Sequence, residues 1–292
     1  MKILILLKRW KGGIGTYVLE VSNELKKQGH HVDVISREDD LKKFSVWGSV
    51  SVLRKKVTDM MKKEKYDILY TQDWSLALPF FFPIPIFRKK HFCGFGGIQV
   101  GKASLLQKIV GKLLGKNLIS YGDPVKKAFP LSKQIFNGVN LEKFKPIKKI
   151  KRIKNSVGMV NMPTEVWHIS ALKSATKKAG KKFFNIWGVP QKEMPKFYNK
   201  IETFVSLPPK HTGFNLCWLE AMACGVPKII GSNAGIGCRL PIDKIENYKN
   251  IEDALKKVKK KDYRKIIEEK FSWEIHVKKL VNFFKESLQK EL

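Results

Sequence analysis

The sequence predicts an α/β protein of two lobes, each a parallel sheet with helices on both faces. Three observations lead there. Short apolar runs alternate with amphipathic helical stretches along most of the chain, and that alternation implies parallel strands joined by crossover helices. A basic stretch without periodicity, residues 141–154, interrupts the pattern near the middle. A length of 292 residues leaves room for two domains of roughly 140 residues each.

The elements follow in order. Residues 2–7 are a continuous apolar run of strand length that leads to the turn Gly12-Gly13-Ile14-Gly15. A helix comes next, with Tyr17, Val18, Val21 and Leu25 on one face. Gly29 closes it, because glycine accepts the left-handed conformation that ends many helices. Residues 32–36 read as a strand, 50–63 as a helix and 66–71 as a strand, with 117–120 and 134–136 as later short strands of the same sheet. Residues 102–117 place Leu105, Leu106, Ile109, Val110, Leu113 and Leu114 at helical spacing, interleaved with Lys102, Lys108, Lys112 and Lys116. Two readings fit this helix. One is a basic amphipathic helix lying on an anionic lipid surface; the other is a core helix with a solvated lysine face. The Phe80-Phe81-Phe82 run nearby speaks for the first.

Residues 141–155 carry seven basic residues and Pro146. They read as a linker, which gives an N-terminal lobe over 1–140, a basic linker over 141–154 and a C-terminal lobe over 155–271. In the second lobe 157–160, 182–187, 203–207 and 228–230 read as strands, and 164–179, 193–198 and 216–224 as helices. Residues 272–292 form a closing helix, capped by Ser272 and free to return to the first lobe.

Composition narrows the function classes. A hydrophobic share of 43% with 11% aromatics excludes wholesale disorder. Lys and Arg number 57 against 26 Asp and Glu, and the resulting charge of +31 calls for an anionic partner: nucleic acid, anionic lipid or a phosphorylated small molecule. Charge is the sole support for nucleic acid, because the chain has no recognisable nucleic-acid motif and its basic residues are spread throughout. Cys93, Cys217, Cys224 and Cys238 form no CxxC pair and the histidines show no ligand spacing, so a reduced, metal-free chain is expected. The opening apolar run is too short for an export signal and is followed by Lys8 and Arg9. No stretch reaches the roughly 18 apolar residues that span a bilayer. The expected location is cytoplasmic, at most peripheral at the inner face of the membrane.

Four segments, in order, resemble glycosyltransferase family 4. Gly12-Gly13-Ile14-Gly15 precedes the first helix, and Gly29-His30-His31-Val32-Asp33-Val34 follows it. Asn137-Gly138-Val139-Asn140 leading to Phe144-Lys145-Pro146 is similar to the family's interdomain run. The most specific segment runs from Gly213-Phe214-Asn215-Leu216 through Glu220-Ala221-Met222-Ala223-Cys224-Gly225-Val226-Pro227. Phe271-Ser272-Trp273-Glu274 opens the last helix. The resemblance implies the GT-B architecture: two Rossmann-like lobes with parallel sheets facing across an interdomain cleft. It implies transfer of a hexose-type sugar from a nucleotide diphosphate sugar to a hydroxyl acceptor, lipid-linked or glycan, with retention. No metal and no cofactor beyond the donor substrate is implied.

The resemblance also assigns roles. Glu220 would hold the ribose hydroxyls, as an acidic residue does in dinucleotide sites, where the plain alternative is a carboxylate that complements the helix dipole. Gly213, Phe214, Asn215 and Leu216 would present backbone N–H groups to the donor, since helix N-termini bind phosphate. Gly12, Gly13 and Gly15 would face the donor phosphates and acceptor, or merely make a tight turn. Asp73, after the strand over 66–71, would orient the acceptor hydroxyl or cap a helix. Thr212 stands where the family has the first Glu of its Glu-x7-Glu motif; it can bond a sugar hydroxyl and supplies no charge. The family's phosphate-clamping Arg and Lys are also missing, with Met159 after Gly158 and Thr164 near the Lys position. Lys173, Lys177 and Arg239 are the substitutes considered for the cation that a leaving diphosphate needs. These departures motivate a second reading, a degenerate relative that binds a nucleotide sugar without turnover. A nucleotide-dependent epimerase of the same architecture is a third.

Overall fold

Ile3 to Leu7 are wholly buried, so this strand is covered on both faces, as in the middle of a parallel sheet. A computed structural model describes all residues except 11, 41–45, 83, 88–89, 102, 161–167, 213 and 290–292, and the side chains of 39–40 and 46–50 also lie outside the description. The chain folds as two compact units, Met1–Phe136 with Trp273–Leu292, and Asn137–Ser272.

The first unit runs β1 (Lys2–Leu7), α1 (Gly13–Lys27), β2 (His31–Ser36), α2 (Arg37–Asp40), α3 (Val46–Lys63), β3 (Ile68–Gln72), α4 (Trp74–Ala77), β4 (His91–Phe95), α5 (Ala103–Leu114), β5 (Leu118–Ser120), α6 (Asp123–Ala128) and β6 (Lys133–Gln134). All pairings are parallel, in the order β2-β1-β3-β4-β5-β6. The chain leaves β1 for β2 on one side and crosses to β3 on the other, so the topological switch point lies between β1 and β3. One face packs Leu4, Leu6 and Leu69 against Leu53, Val57 and Met61 of α3. Gly29 adopts φ 78° and ends α1 as read from the sequence.

The second unit contains β7 (Ser156–Val160), α7 (Ile169–Lys178), β8 (Lys182–Ile186), α8 (Met194–Lys200), β9 (Thr203–Val205), α9 (Leu216–Ala223), β10 (Lys228–Gly231), β11 (Asp243–Lys244), α10 (Ile251–Lys257) and α11 (Arg264–Lys270). Its parallel sheet has the order β11-β10-β9-β7-β8, with the switch point between β7 and β9. Val157, Met159, Leu172, Val205, Ile230 and Leu255 share one core cluster. The start of the helix expected over 164–179 lies outside the described residues, and α7 accounts for the rest.

Residues 141–154 are bonded into the second unit. The Arg152 guanidinium donates to the carbonyls of Tyr198, Ile201, Cys224 and Gly225 at 2.7–3.0 Å. Asn199 Oδ1 accepts from Ile147 N at 2.8 Å. Such side-chain-to-carbonyl bonds carry no periodic signature, which is why the segment reads as a linker.

The last helix, α12 (Trp273–Gln289), belongs to the first unit, where the Phe284 ring lies 4.7 Å from Phe92. His276 joins a buried chain of hydroxyls. Its Nδ1 lies 2.8 Å from the Phe136 carbonyl and must donate there, so Nε2 accepts from Tyr17, 2.9 Å away. Tyr17 in turn accepts from Tyr70 at 2.7 Å, and Tyr70 from Tyr121 at 2.6 Å. The structure sets Gln72 Oε1 2.7 Å from the Tyr121 hydroxyl; with each hydroxyl owning one proton, the chain closes only with the amide turned so that its nitrogen donates there.

Candidate active site

In open α/β sheets, ligands bind beyond the carboxyl ends of the strands, at the switch point. The two loops flanking this point in the first unit are β1 to α1 and β3 to α4. Gly12, at the start of α1, Gly13 and Gly15, in its first turn, and Asp73, at the start of α4, are the four first-lobe residues that the resemblance assigns to donor or acceptor.

The three glycines have different reasons to be there. Gly12 sits at φ 82°, a left-handed conformation that favours glycine, and no side chain caps α1 behind it. Gly15 is fixed by sterics, because a Cβ there would lie 1.7 Å from the Trp10 carbonyl oxygen. Gly13 has neither constraint: its φ is ordinary and a Cβ would meet nothing within 4 Å. Gly15→Ala is therefore expected to destabilise the chain by about 2 kcal/mol or more, since the clash is with backbone. Gly13→Ser should leave stability within about 0.5 kcal/mol in denaturant titration. If the loop meets a ligand, Gly13→Ser weakens binding without that cost.

Asp73 has φ 107° and ψ 143°, strained for a residue with a side chain. Two bonds hold it: its N–H donates to the Gly94 carbonyl at 3.1 Å, and its carboxylate Oδ1 accepts from Ser75 N at 2.8 Å. The geometry thus displays the helix-capping role. Gln72 is buried in the hydroxyl chain and does not reach the rim.

In the second unit, the loop after β9 leads into α9 beside the switch point. The buried Asn215 stands at the N-cap position, yet its Nδ2 donates to Ser206 Oγ at 2.7 Å and no side chain caps the helix. No acidic residue occupies the first turn of α9. Trp218 N bonds back to the Asn215 carbonyl at 3.3 Å, and a helix start at a switch point with no side-chain cap suits an anion. Glu220 follows one turn later, 7% exposed, and its Oε2 accepts from the Tyr198 hydroxyl at 2.8 Å. Burial first, then Cys217 and Glu220 beside it, hold the Tyr198 phenol protonated far above its usual range, so it remains a donor. One carboxylate oxygen is thereby oriented.

Thr212 is half-buried, with its N–H bonded to the Pro209 carbonyl at 2.9 Å, and Phe214 and Leu216 are half-buried in the same loop. Gly213 lies outside the described residues. Lys173 and Lys177 are exposed on α7, the helix after β7. Arg239 is exposed in the loop after β10, the strand next to β9. The second-unit residues thus gather in one loop and its helix, apart from Lys173, Lys177 and Arg239. Tyr198 and Ser206, which position Glu220 and Asn215, escaped the sequence reading because their partners lie 22 and 9 residues away.

No family model matches the chain, and no curated protein matches it. Solved structures do. A sucrose-phosphate synthase from Thermosynechococcus elongatus superposes with a TM-score of 0.75 at 14% identity, covering 99% of each chain. A glycosyltransferase from Rickettsia africae gives 0.72 at 16% identity over 98% of each. The Anabaena protein HepE, solved in complex with UDP and glucose, gives 0.67 at 12% identity over 98% of this chain and all of its own. With two parallel-sheet α/β units and these neighbours, the chain has the GT-B fold.

Proposed function

We propose that this chain is a retaining, metal-independent glycosyltransferase of the family 4 type. It would move a hexose-type sugar from a nucleotide diphosphate sugar to a hydroxyl acceptor. The observation that carries the reading is the uncapped start of α9 at the switch point of the second unit, with the carboxylate of Glu220 one turn behind it. Main-chain amides there suit a diphosphate, and a buried carboxylate oriented by Tyr198 suits a ribose diol. The neighbour HepE, crystallised with UDP and glucose, supports a nucleotide-sugar ligand.

In the proposed reaction the acceptor oxygen bonds to the anomeric carbon as the bond from that carbon to the diphosphate oxygen breaks. The acceptor proton passes to the departing phosphate oxygen, so no protein nucleophile is required. Asp73 would orient the acceptor through the carboxylate oxygen that Ser75 leaves free, and Thr212 would bond a sugar hydroxyl. Lys173 or Arg239 would offset the charge of the leaving group.

The test is a thermal-shift screen of the whole chain against UDP, GDP, ADP and their sugars. A ligand at 100 times its dissociation constant adds about 2.7 kcal/mol to stability, so one base series should raise the melting temperature by several degrees. Release of free nucleoside diphosphate from the matching sugar nucleotide, on addition of acceptor, then separates a transferase from a protein that only binds. No shift with any nucleotide would refute the reading.

A further inference from the structure

Helix α5 is apolar on two sides. Its inner side, Gln107, Val110, Gly111 and Leu114, is buried. Its outer side exposes Leu105 at 63%, Leu106 at 41%, Ile109 at 37% and Leu113 at 43%. At 100° per residue these four fall within an arc of about 100°, with Lys108 and Lys112 along one flank. Both lysines are exposed, as is Lys116 just beyond the helix, while Lys102 lies outside the described residues. The helix packs Val110 and Leu114 into the core and exposes its lysines, and its solvated face is aliphatic as well.

The helix cannot turn this face inward. A Cβ on Gly111 would lie 2.3 Å from the Phe129 ring, so the contact there needs glycine. Gln107 accepts from Gln99 N at 2.8 Å and donates to the Gly97 carbonyl at 2.9 Å, tying the preceding loop to the helix. That loop holds Val100 out at 68% exposure. Large exposed aliphatic surface on one rigid element marks an interaction site.

Charge selects the partner. Between Asp73 and Asp123 the sequence contains no acidic residue and seven basic ones, Arg88, Lys89, Lys90, Lys102, Lys108, Lys112 and Lys116. A second copy of this face would set lysine against lysine, and this stretch of sequence supplies no carboxylate to offset them. No helix among the described residues is long and apolar enough to cross a membrane. We propose that α5 and the Val100 loop dock the protein on an anionic lipid bilayer, with the aliphatic arc in the acyl boundary and the lysines reaching the headgroups. This does not depend on the transferase reading, since it concerns lipid binding alone.

The test must separate docking from the general attraction of a +31 protein to any anionic surface. Ile109→Ser with Leu113→Ser keeps the whole charge and removes two exposed side chains, so folding should be preserved and is checked by melting. Co-sedimentation is measured with vesicles of equal phosphatidylglycerol and phosphatidylcholine, and with phosphatidylcholine alone. The parent protein should bind the anionic vesicles, and the double variant should bind at least about tenfold more weakly, because interfacial binding scales with buried apolar area. Lys108→Ser with Lys112→Ser should also weaken binding, and more so at low salt than near 0.5 M, where the Debye length is only about 4 Å. Equal binding by the parent and the Ile109/Leu113 variant would overturn the proposal. So would a vesicle-independent dimer that the variant abolishes, which would give the face to a second copy.

Discussion

Glu220→Gln is expected to lose at least about tenfold in nucleotide affinity while keeping its melting temperature in the absence of ligand. Gln supplies an oxygen for the Tyr198 hydroxyl, now 2.8 Å from Glu220 Oε2, and so preserves that buried bond. It removes the negative charge that would strengthen the bonds to the ribose hydroxyls, where bonds to a charged group contribute about 1.5–3 kcal/mol each. Glu220→Ala differs in kind. It removes the carboxylate from the fully buried Tyr198 hydroxyl, leaving it only the Cys217 thiol, and should cost about 1–3 kcal/mol of stability as well as the ligand response. Isothermal titration with the nucleotide selected by the screen, beside melting of the free proteins, separates the two effects. An unchanged dissociation constant in a well-folded Glu220→Gln protein would show that the donor does not lie on this carboxylate.

Acid should destabilise the first unit well above the pH at which carboxylates titrate. Burial pushes the His91 imidazole down to about 3. Burial also pushes His276 down to about 4, opposed by its bond to the Phe136 carbonyl and assisted by Lys279. The ordinary histidine value is about 6.5. Both groups are therefore neutral in the folded chain and bind protons more readily once unfolded. Their contribution is fully present above pH 6.5 and is lost as pH falls through about 4 for His276 and about 3 for His91. By pH 4 each has removed about 3 kcal/mol, at 1.36 kcal/mol per unit. Asp33 and Glu202, held low in the folded chain, add their losses only below the ordinary carboxylate range. Unfolding near pH 5 should take up about two protons. His276→Gln should take up one fewer, since the amide side chain does not titrate. A melting temperature that stays level from pH 7.5 to 5 would contradict this account.

Much of the fold is legible in the residues. Wherever the apolar period is clean the element is there, as in β1, α1, α9 and α12, because burial on one face or both leaves its mark on consecutive side chains. β4 escapes a sequence reading for a physical reason. His91 and Gly94 break its apolar run, and each is there for a distant partner: His91 bonds Thr71 at 3.0 Å, and a side chain on Gly94 would lie 1.8 Å from the Tyr121 hydroxyl. β3 begins at Ile68, two residues later than the apolar pattern suggests, since Tyr66 turns its hydroxyl to Asp33.

The sequence by itself determined the two parallel-sheet units, the glycine loop after the first strand and the carboxylate near the start of α9. The first two follow from side-chain periodicity and backbone freedom, which are local properties, and the carboxylate was singled out by the resemblance to family 4. Tertiary structure alone decided which glycine is steric and which is open, that Asp73 caps α4, that Tyr198 holds Glu220 and that the outer face of α5 is aliphatic. Each of these depends on an atom supplied from elsewhere in the chain, and no spacing rule encodes where such an atom will arrive.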